Sequence, residues 1–287
     1  MSFYIRIKTY KQLTYKELMS NLAFQNVELS EPDELSEPIN SNICKVFMPH
    51  ESTRGVILYY SNAEYVVGIN ILSSETDFRL ALNIAETISM MTHSDINTED
   101  SETSMDLKMF KTYYNEEWID KEKLLGVPFL LDNIGQKGQI VAIDCCYMTY
   151  LIGPKIHASL DKSSVQAYYN SLVEKICKTQ FFDQNKYIVP HVMQVKYKET
   201  EAVKSMIVLY PNGNQFLPKS DILVIQYENE SIELPYDKIS HIANTHFHRI
   251  DEEQYVVDNL TKEEFIKCFQ SAKSLLSTLS PSVITTN

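Results

Sequence analysis

Two sets of short β-prone segments, each running into one amphipathic helix, constrain the fold of this chain more than any other feature. In the first half, residues 43–48, 55–60 and 64–72 are rich in Val, Ile and Tyr, and Ser61-Asn62-Ala63 reads as a tight turn between the last two. Strand, turn and strand at that spacing predict an antiparallel meander. A helix is expected from Ser74, because Phe78, Ala81, Ala85 and Ile88 recur at helical spacing. In the second half, residues 139–152, 187–197, 204–210, 221–227 and 231–234 read as strands. There Thr261-Lys262-Glu263-Glu264 forms a capping box ahead of a stripe of Phe265, Phe269, Ala272, Leu276 and Leu279. A first strand is expected over residues 3–8, and further helices over 14–24, from 106 through Trp118, and after Ser163. The residues from Pro281 onward read as a frayed end. The expected class is α+β, with antiparallel sheets and amphipathic helices packed on one face.

Gly126-Val127-Pro128 interrupts the pattern. It sets an expected division into an N-terminal α+β half, residues 1–125, and a C-terminal α+β half, residues 126–287, with one continuous domain as the alternative. Tyr65-Val66-Val67 and Tyr255-Val256-Val257 each precede a helix, which is the one hint of an internal duplication.

Catalytic and cofactor signatures are sparse. The chain has 7 Gly, and the closest approach to a phosphate-binding loop is Gly135-Gln136-Lys137-Gly138, which lacks the rest of either Gly-rich fingerprint. No Ser stands in a Gly-x-Ser-x-Gly elbow. No cofactor is therefore expected. His241, His246 and His248 fall close together ahead of Asp251, Glu252 and Glu253, and His246 and His248 would share one face of a strand. A His-x-His pair is a recognised metal geometry, but a second ligand cluster is missing, so these are candidates set against an expectation of no metal. The 5 Cys are odd in number and irregularly spaced, as reduced thiols in a cytosolic protein are. Cys145-Cys146, as neighbours on a strand, would point to opposite faces.

Charge carries more information. There are 38 acids against 26 Lys and Arg, a formal net charge of −12, which opposes nucleic acid and anionic membranes and favours a basic partner. Solubility alone explains many such charges. Here the acids concentrate. Residues 28–37 hold Glu28, Glu31, Asp33, Glu34 and Glu37, and residues 95–106 hold Asp95, Glu99, Asp100, Glu102 and Asp106; neither stretch contains a base. Prolines within the repeated Leu-Ser-Glu-Pro of the first exclude a regular helix. The second reads as a mobile polar loop. The chain also has 18 Tyr, including the adjacent pairs Tyr59-Tyr60, Tyr113-Tyr114 and Tyr168-Tyr169. Exposed Tyr beside acids is a common composition for a protein interface. The opening residues alternate apolar and polar and do not read as a signal peptide, and no run approaches the ~20 apolar residues of a membrane span.

From residues 65 to 91, a strand ends in Ser73-Ser74 and Asp77-Phe78 opens an amphipathic helix. This stretch resembles uncharacterised bacterial proteins of similar length, some of them similar to immunity proteins encoded beside interbacterial toxins. The resemblance implies no catalytic residues. The expected function is a non-catalytic, cytosolic, protein-binding protein, an immunity-type inhibitor of a basic toxin or enzyme, contacting its partner through Glu31, Asp33, Glu34, Glu37, Glu99, Asp100 and Glu102. The alternatives are an enzyme with a site near His246 and His248, and a structural or scaffold subunit.

Overall fold

A computed structural model describes residues 2–31, 35–101, 103–181, 186–188, 190–197, 200–243 and 245–278. The chain forms two compact units, Met1–Phe182 and Asp183–Asn287. In chain order the first contains β1 (Ser2–Lys8), α1 (Tyr15–Met19), β2 (Glu28–Leu29), β3 (Cys44–Phe47), β4 (Val56–Ser61), β5 (Glu64–Asn70), α2 (Glu75–Thr92) and β6 (Ile96–Thr98). It continues with α3 (Leu107–Tyr113), α4 (Glu116–Glu122), α5 (Gly126–Leu130), a π-helical turn (Leu131–Gln136), β7 (Val141–Asp144), β8 (Thr149–Ile152), α6 (Pro154–Ala158) and α7 (Val165–Gln180).

The first six strands form one antiparallel sheet in the order β2-β3-β4-β5-β1-β6. The meander expected from residues 43–72 is its core. Asn62 and Ala63, both at positive φ, make the turn that joins β4 to β5. The helix α2 lies on this sheet and buries Phe78, Ala81, Ala85 and Ile88, the expected stripe, together with Leu80 and Ile84. The Phe, Leu and Ile side chains each contribute about 1.5–3 kcal/mol when fully buried, and the alanines less. Its N-terminus is fixed by a capping box in which Ser74 and Asp77 satisfy each other's backbone donors. The neighbouring strands leave no room at Gly68, where an added Cβ would stand 2.8 Å from the Tyr4 ring.

The expected division at 125/126 differs from the division observed at 182/183. One hydrophobic cluster does give way to another near residue 126, but Leu72 belongs to the second, with Val127, Leu130, Tyr150 and Leu172. Polar ties also cross that line: Arg54 Nε donates to the Asp144 carbonyl at 2.9 Å, Lys45 Nζ to the Cys145 carbonyl at 2.6 Å, and the Tyr169 hydroxyl to the Ser73 carbonyl at 2.7 Å.

The second unit contains β9 (Met193–Lys196), β10 (Val203–Leu209), β11 (Gln215–Leu217), β12 (Ile222–Tyr227), β13 (Glu230–Pro235), α8 (Ile239–Ile242), β14 (Phe247–Arg249), β15 (Tyr255–Val257) and α9 (Lys262–Thr278). One sheet runs β13-β12-β10-β9, with β10 and β12 parallel; the other runs β11-β15-β14, all antiparallel. The strand β11 lies on the crossover between the parallel pair. The helix α9 packs on β12 and β13 through Phe265, Phe269 and Ala272. Leu276 is partly buried there, while Leu279 and the residues from Pro281 lie outside the described residues. The sheet orders of the two units differ, so the Tyr-Val-Val match does not mark a shared topology. The fold is α+β, as expected.

Four local expectations are corrected. Residues 139–152 form the hairpin β7–β8 rather than one strand, and Cys145 and Cys146 are both buried in its connection. The helix expected from residue 106 through Trp118 breaks at Asn115, whose side chain caps α4. The strand expected over 187–197 is confined, among the described residues, to β9. Residues 95–106 are not a free loop: β6 pairs with β1, and Met105 returns to bridge Ile96. Ile96 and Met105 are the reason, two fully buried apolar anchors inside an acidic stretch.

Candidate functional site

The strands β2 and β6 are the two edges of the six-stranded sheet, and each acidic stretch adjoins one of them. At the first edge, Leu29 is drawn into the sheet opposite Val46. The return of the segment is held at its far end, where Lys16 N–H donates to the Leu35 carbonyl at 2.8 Å and Thr14 bridges Pro38. A pocket of about 420 Å³ opens between these anchors, lined by Met19, Val27, Glu28, Leu29, Leu35 and Tyr147, with Ser30 beside them. Glu28, Glu31, Leu35 and Glu37 are exposed, and none of the three acids is ion-paired among the described residues. Asp33 and Glu34 lie outside the described residues.

Tyr147 comes from the β7–β8 connection. Its N–H and that of Met148 both donate to Gln180 Oε1 at 2.9 Å, and its ring packs edge-on against Phe47 at 5.1 Å. Its hydroxyl donates to the Glu28 carboxylate at 3.2 Å. Burial, helped by Glu28, pushes that phenol up to about 12, so it remains a protonated donor at neutral pH. The site thus offers an apolar floor, an aromatic wall and uncompensated carboxylates at the rim. That combination suits a side chain with an aliphatic stem and a positive head.

At the second edge, Glu99 is exposed and Asp100 accepts the Tyr114 hydroxyl, while Glu102 lies outside the described residues. The seven acids expected to contact a partner come from the two acidic stretches. Those described divide between two opposite sheet edges.

The histidines do not converge. His241 is exposed on α8. His246 Nε2 stands 2.8 Å from Glu264 Oε1 at the start of α9, and His248 Nε2 2.9 Å from Asp258 Oδ2 beyond β15. Each imidazole is thus matched to its own carboxylate. Among the described residues, no group of three or more His, Cys, Asp or Glu side chains is placed to hold a metal ion. Gly135 to Gly138 end the π-helical turn, and the N–H groups of Lys137 and Gly138 bond back to the Asp132 and Ile134 carbonyls. They do not form a phosphate cradle.

Sequence reasoning found the acids at the first edge and missed the pocket. Its walls come from separated segments, around residues 19, 27–30, 35 and 147. Tyr147 carried no signal, because its surroundings alternate like a strand.

Fold and site together define an α+β protein with an apolar-floored pocket at one acidic edge of its sheet. Residues 2–267 match the model of a family described as Domain of unknown function (DUF4299), and the chain belongs to that family. No curated protein and no solved structure matches it. Among the described residues, no helix is long and apolar enough to cross a membrane.

Proposed function

We propose that the chain is a non-catalytic, cytosolic protein-binding protein, an immunity-type inhibitor of a basic toxin or enzyme. The observation that carries this reading is the pocket beside β2, where Leu35 and Tyr147 are 41% and 47% exposed beside Glu28, Glu31 and Glu37, which form no ion pair among the described residues. A basic side chain of the partner lays its stem on Met19, Val27 and Leu29 and its charge against the acidic rim. Aromatic anchors in partly desolvated pockets carry most of the energy in such contacts, and rim charges chiefly set the rate of encounter. Polar groups matched in this way favour one partner over others of the wrong charge.

Site-specific photocrosslinking in the native host tests the reading. A crosslinker at Leu35 or Tyr147 is expected to capture one basic protein, and a crosslinker at the comparably exposed Met90 on α2 is expected not to. Equal capture from all three positions, or capture of an acidic protein, would rule the reading out.

A further inference from the structure

The second sheet edge holds a site of different make-up. Between β6 and α4 the chain encloses a cavity of about 330 Å³, lined by Asp100, Ser101 and Thr103 and by Met109, Tyr113 and Trp118. Tyr114 also lines it. Its hydroxyl donates to Asp100 and accepts from Thr98 Oγ1 at 2.7 Å, which fixes the carboxylate in place. The Tyr114 ring meets Trp118 edge-on at 5.0 Å. Asp100 has no cation within ion-pair distance among the described residues. Glu122 lies near Asp100: burial pushes its carboxyl up, Lys121, 4.0 Å away, opposes this and Asp100 reinforces it.

We propose that this cavity binds a primary alkylammonium group of the lysine side-chain class, with the nitrogen on Asp100 and the alkyl stem against Met109, Tyr113 and Trp118. An anion is excluded by the carboxylates. A neutral apolar ligand would cover Asp100 and leave its charge without a partner, which is costly. A guanidinium prefers a carboxylate with both oxygens open for a fork-like pair, and Tyr114 already occupies one side of Asp100. An ammonium is a point charge that one carboxylate oxygen can hold, and the aromatic faces of Tyr113 and Trp118 attract it further. This site stands apart from the pocket beside β2, and its ligand does not depend on the function proposed for that pocket.

The chain contains 1 Trp, so all tryptophan emission comes from Trp118, which lines this cavity. The test titrates the full chain with n-butylammonium chloride, with sodium chloride and the neutral 1-butanol as matched controls. A ligand of this size binds in about the millimolar range. The expected result is a saturable change in emission with n-butylammonium only, weakened at least about tenfold in Asp100→Asn and also weakened in Tyr113→Ala. Tyr113 is 64% exposed, so its variant keeps the fold even if Asp100→Asn does not. Glu31→Gln, at the other edge, is expected to leave the titration unchanged. Two peptides separate the sources of the group, one with a central lysine and one with that lysine acetylated. Tighter binding of the lysine peptide than of n-butylammonium assigns the site to a protein lysine, and equal binding assigns it to a free amine. The proposal is overturned if 1-butanol or sodium chloride reproduces the change, if no saturable change occurs, or if neither Asp100→Asn nor Tyr113→Ala weakens it.

Discussion

Asp77 has no exposed surface, and its Oδ2 accepts from Thr53 N–H at 3.0 Å and from Thr53 Oγ1, Arg54 N–H and Ser74 N–H, each at 3.1 Å. One carboxylate therefore joins the segment before β4 to the start of α2. Removing it strands several buried donors at once. Asp77→Ala is expected to destabilise the first unit by about 3–5 kcal/mol in denaturant unfolding, and a loss below about 1 kcal/mol would show that water takes over these bonds. The thiols give a second residue-scale expectation. Burial pushes Cys145 and Cys177 up to about 12 and Cys268 up to about 11, and pushes Cys146 higher still. Thiolate, not thiol, reacts, so native protein near pH 8 should label slowly at these positions. All five cysteines are free. Denatured, unreduced protein should therefore titrate as five thiols, and a smaller number would mean that a disulfide forms.

Among the elements, the turn between β4 and β5 stores a small cost. Ala63 sits at φ 58°, in the left-handed region that disfavours side chains. Ala63→Gly is expected to raise stability by about 0.5–1 kcal/mol, measured as a higher melting temperature; a fall would mean that the freedom gained by the unfolded chain outweighs the relieved strain. The capping box of α9 sets a pH dependence. The Thr261 N–H and hydroxyl hold the Glu264 carboxyl below its ordinary value of 4.5, with His246 adding to the effect. A folded-state value below the unfolded one means that the unfolded chain binds more protons. This contribution is therefore complete above about pH 4.5 and is lost as pH falls through the folded value. Thr261→Ala should flatten that acid-side loss in a series of melting curves. An unchanged slope would assign the acid sensitivity to other carboxylates.

The same elements show how much was legible. The stripe of α2 and the capping box at Thr261 depend on neighbours within a few residues, and the sequence displays them directly. The β7–β8 connection was not legible, because Cys145-Cys146-Tyr147 contains no Gly, Pro or Asn to mark a turn. The break before α4 was also missed: Asn115 both ends one helix and caps the next within an apolar spacing that continues across it. The acids of the candidate site could be read from the sequence, but the apolar floor beneath them is assembled only by the fold.

At the scale of the whole molecule, a net charge of −12 and two acidic sheet edges are joined in one design. Charge at a sheet edge also deters pairing with another chain, which gives the acids a purpose without any partner. Kinetics separate the two roles. If the edge beside β2 greets a basic partner, complementary charge speeds encounter and salt screens it; if the acids only guard the edge, the rate of binding is indifferent to them. Glu31→Gln with Glu37→Gln should hardly affect stability, since exposed charges contribute little. The most direct measurement is the association rate of the crosslinked partner, at low and high salt, with the native chain and with this double variant. The account predicts a rate that falls with salt for the native chain, and a slower, flatter response for the variant. A rate that ignores both salt and the two glutamates would contradict it.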